Sequence, residues 1–80
     1  MRFSHDAEAD AIYITLREMP YKWGEDLDHR RRIDFGEDNK PIGIDLLSVS
    51  KGIDLSDLPE RATIARLLAE RGFHVLAPTL

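Results

Sequence analysis

Three acidic residues, Asp6, Glu8 and Asp10, occupy alternate positions in a polar stretch near the start of the chain. This spacing matches the first ligands of a calcium loop, in which carboxylates converge on one cation. The rest of such a loop is missing, because Ala11 stands where glycine is required and Arg17 where a bidentate glutamate is required. We therefore predict no metal or cofactor here, and we expect Asp6 to bond backbone N–H groups in a turn.

Other residue types that could support catalysis do not form a recognisable constellation. The histidines are far apart in sequence and lack ligand spacing: they are His5, His29 and His74. Ser48, Ser50 and Lys51 superficially resemble a Ser–Lys pair, but no oxyanion element or third group accompanies them. The absence of cysteine removes thiol nucleophiles, thiolate zinc sites and disulfides. The sequence predicts a protein that is not an enzyme, and the enzyme alternative is a metal-dependent hydrolase using the N-terminal acids.

The basic run Arg30, Arg31 and Arg32 is unusual in this acidic chain. Strand alternation sends Arg31 to one side and its two neighbours to the other. One interpretation is a solvated edge strand, where charge discourages unwanted pairing. The other is an anion-seeking patch for an acidic partner or a phosphate. Leu47 and Val49, predicted to make a strand end apolar on both sides, complete the predicted interaction patch.

Composition narrows the class of protein. Eighty residues with 42% hydrophobic content indicate one globular domain. A chain of this size buries only roughly 60–65% of its unfolded surface, so we expect a homodimer. The net charge of −4 disfavours nucleic acid as a partner. No apolar run could cross a bilayer, and the polar N-terminus does not resemble a signal peptide, so we expect a cytoplasmic protein without membrane contact.

The hydrophobic pattern predicts an α+β fold, an antiparallel β-meander of about four strands packed against one C-terminal α-helix, with a short final strand. Predicted strands cover 2–4, 11–16, 29–35 and 41–49, a helix covers 59–71, and a final strand covers 73–76. Strand alternation assigns these residues to the core face: Ile12, Ile14, Leu16, Ile42, Ile44 and Leu46. The helix carries the apolar stripe that should cover this face: Ile64, Leu67 and Leu68.

The connections carry their own signals. Pro20 and Gly24 predict a loop over 18–27, where Trp23 should plug the edge of a small core. A tight turn is expected at 36–40, a linker at 50–58, and a frayed tail at 77–80. Asp57 and Glu60 are spaced as a capping box at the helix start, and Gly72 should end the helix.

Two blocks of the sequence resemble a known family of small bacterial proteins. The first is His5-Asp6-Ala7-Glu8-Ala9-Asp10-Ala11-Ile12-Tyr13-Ile14-Thr15-Leu16. The second is Ile33-Asp34-Phe35, an acidic turn, and then Pro41-Ile42-Gly43-Ile44-Asp45-Leu46-Leu47. In this order and spacing they resemble DUF2283, a family of unknown function, over about residues 2–51.

The chain also departs from the family pattern. His5 replaces an aromatic residue, Gly36 stands where Asp is common, Asn39 stands where Gly is common, and the arginine run replaces a mostly apolar strand start. The C-terminal helix lies outside the match. We thus expect a single domain, 1–80, with a family-like β region at 1–51 and a helix plus short strand at 52–80.

The resemblance carries over no activity and no catalytic residues. It does imply one specific role, because some members resemble the small partner of a compact toxin-like protein. The leading hypothesis is a non-catalytic protein-interaction module, and the alternative is an antitoxin-like partner that neutralises a co-encoded toxin.

Overall fold

The computed structural model describes residues 1–77. The chain divides into two compact units, Met1–Leu47 and Ser48–Leu80. The first unit is all β and the second contains the helix. The predicted α+β class is confirmed, while most of the predicted tail at 77–80 lies outside the described residues.

The first unit is an antiparallel sheet of five strands, one more than predicted. Their bounds are β1 Arg2–Asp6, β2 Ala11–Thr15, β3 Tyr21–Asp28, β4 Arg31–Gly36 and β5 Pro41–Leu47. The spatial order is β1-β2-β5-β4-β3. Because β2 pairs with β5 and not with β3, the sheet is not the simple meander expected from the sequence. The segment between β2 and β3 carries the chain to the far edge.

The loop predicted over 18–27 is wrong, since most of it forms β3. Pro20 immediately precedes the strand, and Gly24 lies inside it. β3 pairs with β4 along its length, with register shifts between Tyr21 and Trp23 and between Asp26 and Asp28. Tertiary pairing has therefore overridden the local signals of Pro and Gly.

One face of the sheet holds the apolar side chains that alternation assigned to it. Ile14 on β2 lies opposite Ile44 on β5, and Ile44 in turn lies opposite Ile33 on β4. The buried side chains of the sheet are Ile12, Ile14, Ile33, Ile42, Ile44 and Leu46. Leu16 follows the end of β2 and is only half-buried. The period-2 pattern thus predicts this face almost completely.

The fifth strand is shorter than predicted. It begins at Pro41, as expected for a residue without a backbone donor, and ends at Leu47 instead of Val49. Ser48 adopts a left-handed backbone (φ 54°), which breaks the strand. Val49 then opens a 3₁₀ turn, Val49–Lys51, and is 3% exposed. The prediction that Val49 lies on the outer face of a strand is therefore wrong.

The second unit contains helix α1, Arg61–Glu70. The predicted capping box is wrong, because Asp57 and Glu60 both have positive φ and no side chain caps the helix start. The C-terminal prediction is confirmed, since Gly72 has φ 83° and Phe73 N–H bonds the carbonyl of Leu68. α1 buries Ile64 and Leu68, whereas Leu67 is half-buried.

The predicted final strand is reduced to one parallel bridge between Ile53 and Val75. Two backbone hydrogen bonds support it, from Ile53 N–H to His74 and from Leu76 N–H to Ile53. Within residues 1–77, no helix is long and apolar enough to span a membrane.

Candidate functional site

The sheet carries a network of polar side chains on the face opposite its apolar core. Tyr13 on β2 donates its hydroxyl hydrogen bond to Asp34 Oδ2 on β4 at 2.8 Å. Arg32 Nε donates to the other oxygen of Asp34 at 3.3 Å. The guanidinium also reaches Asp26 Oδ1 at 3.0 Å and the Tyr21 hydroxyl at 3.1 Å, both on β3. We call these five residues the polar cluster.

Two glycines give the polar cluster the room it needs. Tyr13 lies directly over Gly43 on β5, so that a Cβ there would overlap the Tyr13 hydroxyl. Arg32 lies over Gly24 on β3 in the same way. Both glycines are thus required by the close approach of a side chain to the backbone.

The polar cluster is electrostatically coupled to a further carboxyl group, Asp45, on β5. Burial, with the hydrogen bond and negative charge of Asp34, raises the pKa of Tyr13 well above its usual value. Burial and the charge of Asp34 also raise the pKa of Asp45, an effect that Arg32 partly opposes. Tyr13 therefore remains protonated across the physiological pH range and acts as a hydrogen-bond donor.

A comparison with protein-family models matches residues 2–50 to DUF2283, described as a protein of unknown function. The match covers well over half of the chain and includes the whole sheet. This chain belongs to the DUF2283 family. No curated protein and no solved structure matches it.

The two DUF2283 sequence blocks meet in the folded sheet. Tyr13 comes from the first block, whereas Asp34, Gly43 and Asp45 come from the second. β5 lies between β2 and β4, so it brings Tyr13 opposite Asp45, and Asp34 opposite Gly43. The sheet therefore brings these four residues of the two blocks together on the face of the polar cluster.

Two departures from the DUF2283 pattern have local explanations. Asn39 has φ 61°, and the left-handed region favours Gly first and Asn next, so Asn substitutes there with little strain. Gly36 ends β4 against Met19 and Ile42, and a Cβ at residue 36 would crowd the Met19 sulfur. The tight turn predicted between these strands is confirmed.

One interpretation predicted that the arginine run lies on an edge strand, and this is wrong. Arg31 and Arg32 belong to β4, which lies between β5 and β3. Arg32 belongs to the polar cluster and bonds two carboxylates. The Arg31 side chain is 10% exposed, and its Nε lies 2.9 Å from Asp28 Oδ2. Two of the three guanidinium groups are thus paired with acidic residues of the chain itself, which weakens the case for a free anion-binding patch.

Four of the five residues of the predicted interaction patch surround one shallow depression of about 170 Å³. They are Arg30, Arg31, Arg32 and Leu47. Leu47 is 44% exposed and contributes apolar surface, whereas buried Val49 does not line the depression. Asp26, Asp28 and Asp45 share the lining, so the basic and acidic groups largely offset each other.

The N-terminal acids form a turn, as predicted. Asp6 ends β1, and its Oδ1 accepts a hydrogen bond from Ala9 N–H at 3.1 Å. Asp10 has φ 53° at the other end of this turn. Within residues 1–77, no group of three or more His, Cys, Asp or Glu side chains is arranged to hold a metal ion.

Sequence reasoning did not identify the surface of β3. Trp23 stacks on Phe35 with ring centroids 4.2 Å apart and planes 8° from parallel, and its Nε1 donates to Asn39 Oδ1 at 3.1 Å. Trp23 is nevertheless 39% exposed, and Tyr21 is 56% exposed. The available signal was two aromatic residues, two positions apart, followed by an acidic stretch that leads by a short turn into β4.

Proposed function

We propose that this DUF2283 domain is a non-catalytic protein-interaction module that binds its partner through the side chains of β3. The observation that supports this proposal most strongly is the exposure of Trp23 on this edge strand. Tyr and Trp bury a large area at low cost in side-chain entropy, and they are enriched among residues that dominate binding energy.

The arrangement of the polar cluster supports binding over catalysis. Its acids and hydroxyls are engaged with one another: Tyr13 and Arg32 both donate to Asp34. A general base needs an accessible lone pair directed at a substrate, and a nucleophile needs a neighbouring base. Within the polar cluster these groups instead link β2, β4 and β3, so that they hold the edge strand in place.

The charges on β3 favour a basic partner. Asp26 and Asp28 are paired with Arg32 and Arg31, so Glu25 is the acidic residue of this strand that would face a basic partner. Lys22 is the single basic residue of the strand. The register shifts near both ends of β3 interrupt its regular edge, which hinders simple continuation of the sheet. We therefore propose recognition by side chains: the Trp23 ring against apolar groups of the partner, with Glu25 beside one of its lysines or arginines.

Capture from the native host with the tagged full chain tests this proposal. We expect a specific protein to be retained by the wild-type chain and lost with Trp23→Ala. Trp23→Phe is the matched control, because it keeps an aromatic ring on Phe35 and should retain most of the binding. Glu25→Lys should weaken capture of a basic partner. Equal retention of the same protein by every variant would contradict the proposal.

An antitoxin-like role is a special case of this function, since an antitoxin is an interaction module whose partner is a toxin. It predicts that the captured protein is the product of an adjacent gene. Identification of the captured protein by mass spectrometry separates this case from the general one. A partner encoded elsewhere in the genome would contradict the antitoxin proposal and leave the interaction module intact.

A further inference from the structure

Two exposed side chains of β3, Trp23 and Glu25, lie on the same face of the sheet. Trp23 lies opposite Phe35 on β4. Glu25 lies opposite Ile33, which is buried on the apolar face. Directly opposed residues of an antiparallel pair have their side chains on one face, and positions i and i+2 of a strand are about 6.6–6.8 Å apart along it. A carboxylate therefore stands beside an indole ring at this edge of the sheet.

The indole of Trp23 is held in one orientation by two contacts. One face stacks on Phe35, with ring centroids 4.2 Å apart, and Nε1 donates a hydrogen bond to Asn39 Oδ1 at 3.1 Å. The side chain is still 39% exposed, so the ring face turned away from Phe35 is open to a ligand. The face of an aromatic ring carries the negative part of its quadrupole and attracts a cation. Because the ring is already ordered, a cation that binds there pays little to orient it.

The carboxylate of Glu25 is available to the same ligand. The two other acids of β3, Asp26 and Asp28, are paired with arginines of β4. Over residues 1–77, by contrast, the Glu25 carboxylate forms neither an ion pair nor a hydrogen bond. An open indole face and an unpaired carboxylate thus lie side by side, and both attract positive charge.

We propose that Trp23 and Glu25 together bind one arginine side chain of the partner protein. Its guanidinium stacks on the open face of the indole and donates hydrogen bonds to the Glu25 carboxylate, while its aliphatic stem supplies apolar contact with the ring. This inference rests on the proposed function of β3 and names the group that this surface recognises.

Arginine suits this pair of residues better than lysine does. The guanidinium is planar, so it can lie flat on the indole while two N–H groups at its rim point to the two oxygens of Glu25. The lysine ammonium is compact and strongly hydrated, so it would lose water over the ring without gaining a flat contact. The geometry therefore selects the shape of the cation as well as its charge.

Three capped tripeptides test this assignment, with arginine, lysine or citrulline between two glycines. Citrulline has the shape of arginine without its charge. Each peptide is titrated into the ¹⁵N-labelled full chain, in which the single indole N–H signal reports on Trp23. We expect a saturable shift with the arginine peptide, binding of the lysine peptide that is weaker by about twofold or more, and no saturable shift with citrulline. Equal responses to arginine and either other peptide, or no response to arginine, would overturn the proposal.

A pair of matched variants tests the role of the carboxylate. Glu25→Gln should weaken binding of the arginine peptide about two- to five-fold, as expected for an exposed ion pair. Glu8→Gln removes the same charge from an exposed position in the turn between β1 and β2, at the other edge of the sheet, and should leave binding unchanged. Equal effects of the two variants would contradict the role of Glu25.

The capture experiment described above separates failure of this inference from failure of the proposed function. Capture that requires Trp23, combined with no preference for the arginine peptide, would contradict the arginine assignment and leave the interaction surface intact. Capture that does not require Trp23 would contradict the proposed function and, with it, this inference.

Discussion

Gly43 has a specific structural role, because its missing side chain leaves the space that the Tyr13 hydroxyl occupies. Gly43→Ala should displace Tyr13 from Asp34 and lower the free energy of unfolding by about 1–3 kcal/mol, the usual cost of overpacking a filled site. The measurement is urea denaturation followed by circular dichroism.

A double-mutant cycle provides the control for this prediction. In the Tyr13→Ala background the space above Gly43 is empty, so Gly43→Ala should have a much smaller effect. An equal loss in both backgrounds would show that the strain comes from the β5 backbone and not from Tyr13.

Asp45 makes the stability depend on pH in a defined direction. The pKa of Asp45 is raised in the folded state, so ionisation of this carboxyl group lowers the stability of the fold. This penalty is fully present above the folded-state pKa. It disappears as the pH falls from the folded-state pKa to the lower pKa of the unfolded state. Asp45→Asn should therefore raise the stability at pH 7, by at most about 0.5 kcal/mol for a half-buried position. The gain in melting temperature should shrink on acidification through the carboxylate range. A gain that increases at low pH would contradict this assignment.

The structural role of a residue could be predicted from the sequence where a local rule determines that role. Asp6 was expected to bond backbone N–H groups in a turn, and its Oδ1 accepts a hydrogen bond from Ala9 N–H. The pairing of Tyr13 with Asp34 was not predicted, because these residues are 21 positions apart and meet only through the β2–β5–β4 order. Long-range strand pairing, which no local pattern encodes, assembles the polar cluster.

At the level of elements, the start of α1 shows where local signals misled. Asp57 and Glu60 have the spacing of a capping box, but both have a left-handed backbone, and the helix begins only at Arg61. β3 shows the same limit, since Pro20 and Gly24 indicated a loop. The buried face of the strands rich in Ile was predicted correctly, because the alternation of apolar residues reflects burial on one face.

The left-handed backbone at Glu60 (φ 56°) leads to a prediction about this helix start. A residue with a Cβ is strained there, and glycine is not. Glu60→Gly should raise the free energy of unfolding by about 0.5–1 kcal/mol. Arg66→Gly, at an exposed interior position of the same helix, is the matched control and should lower it by about 1 kcal/mol. Urea denaturation of both variants checks this, and destabilisation by Glu60→Gly would contradict it.

At the level of the whole chain, one edge of the sheet defines the proposed interaction surface. This edge, β3, carries the exposed Trp23 and the acidic Glu25 for a basic partner. The polar cluster links β3 to β4 and β2 and so holds this surface in place. The acidic net charge of −4 agrees with a basic partner and disfavours nucleic acid.

The most direct test of the β3 surface uses Trp23, which is the single tryptophan of the chain and therefore the sole source of indole fluorescence. The captured partner, purified, is titrated into the full chain while the emission is recorded. Burial of Trp23 should shift the emission to shorter wavelength and saturate together with the heat of binding measured by calorimetry. Saturable heat with unchanged emission would place the partner elsewhere and contradict the account.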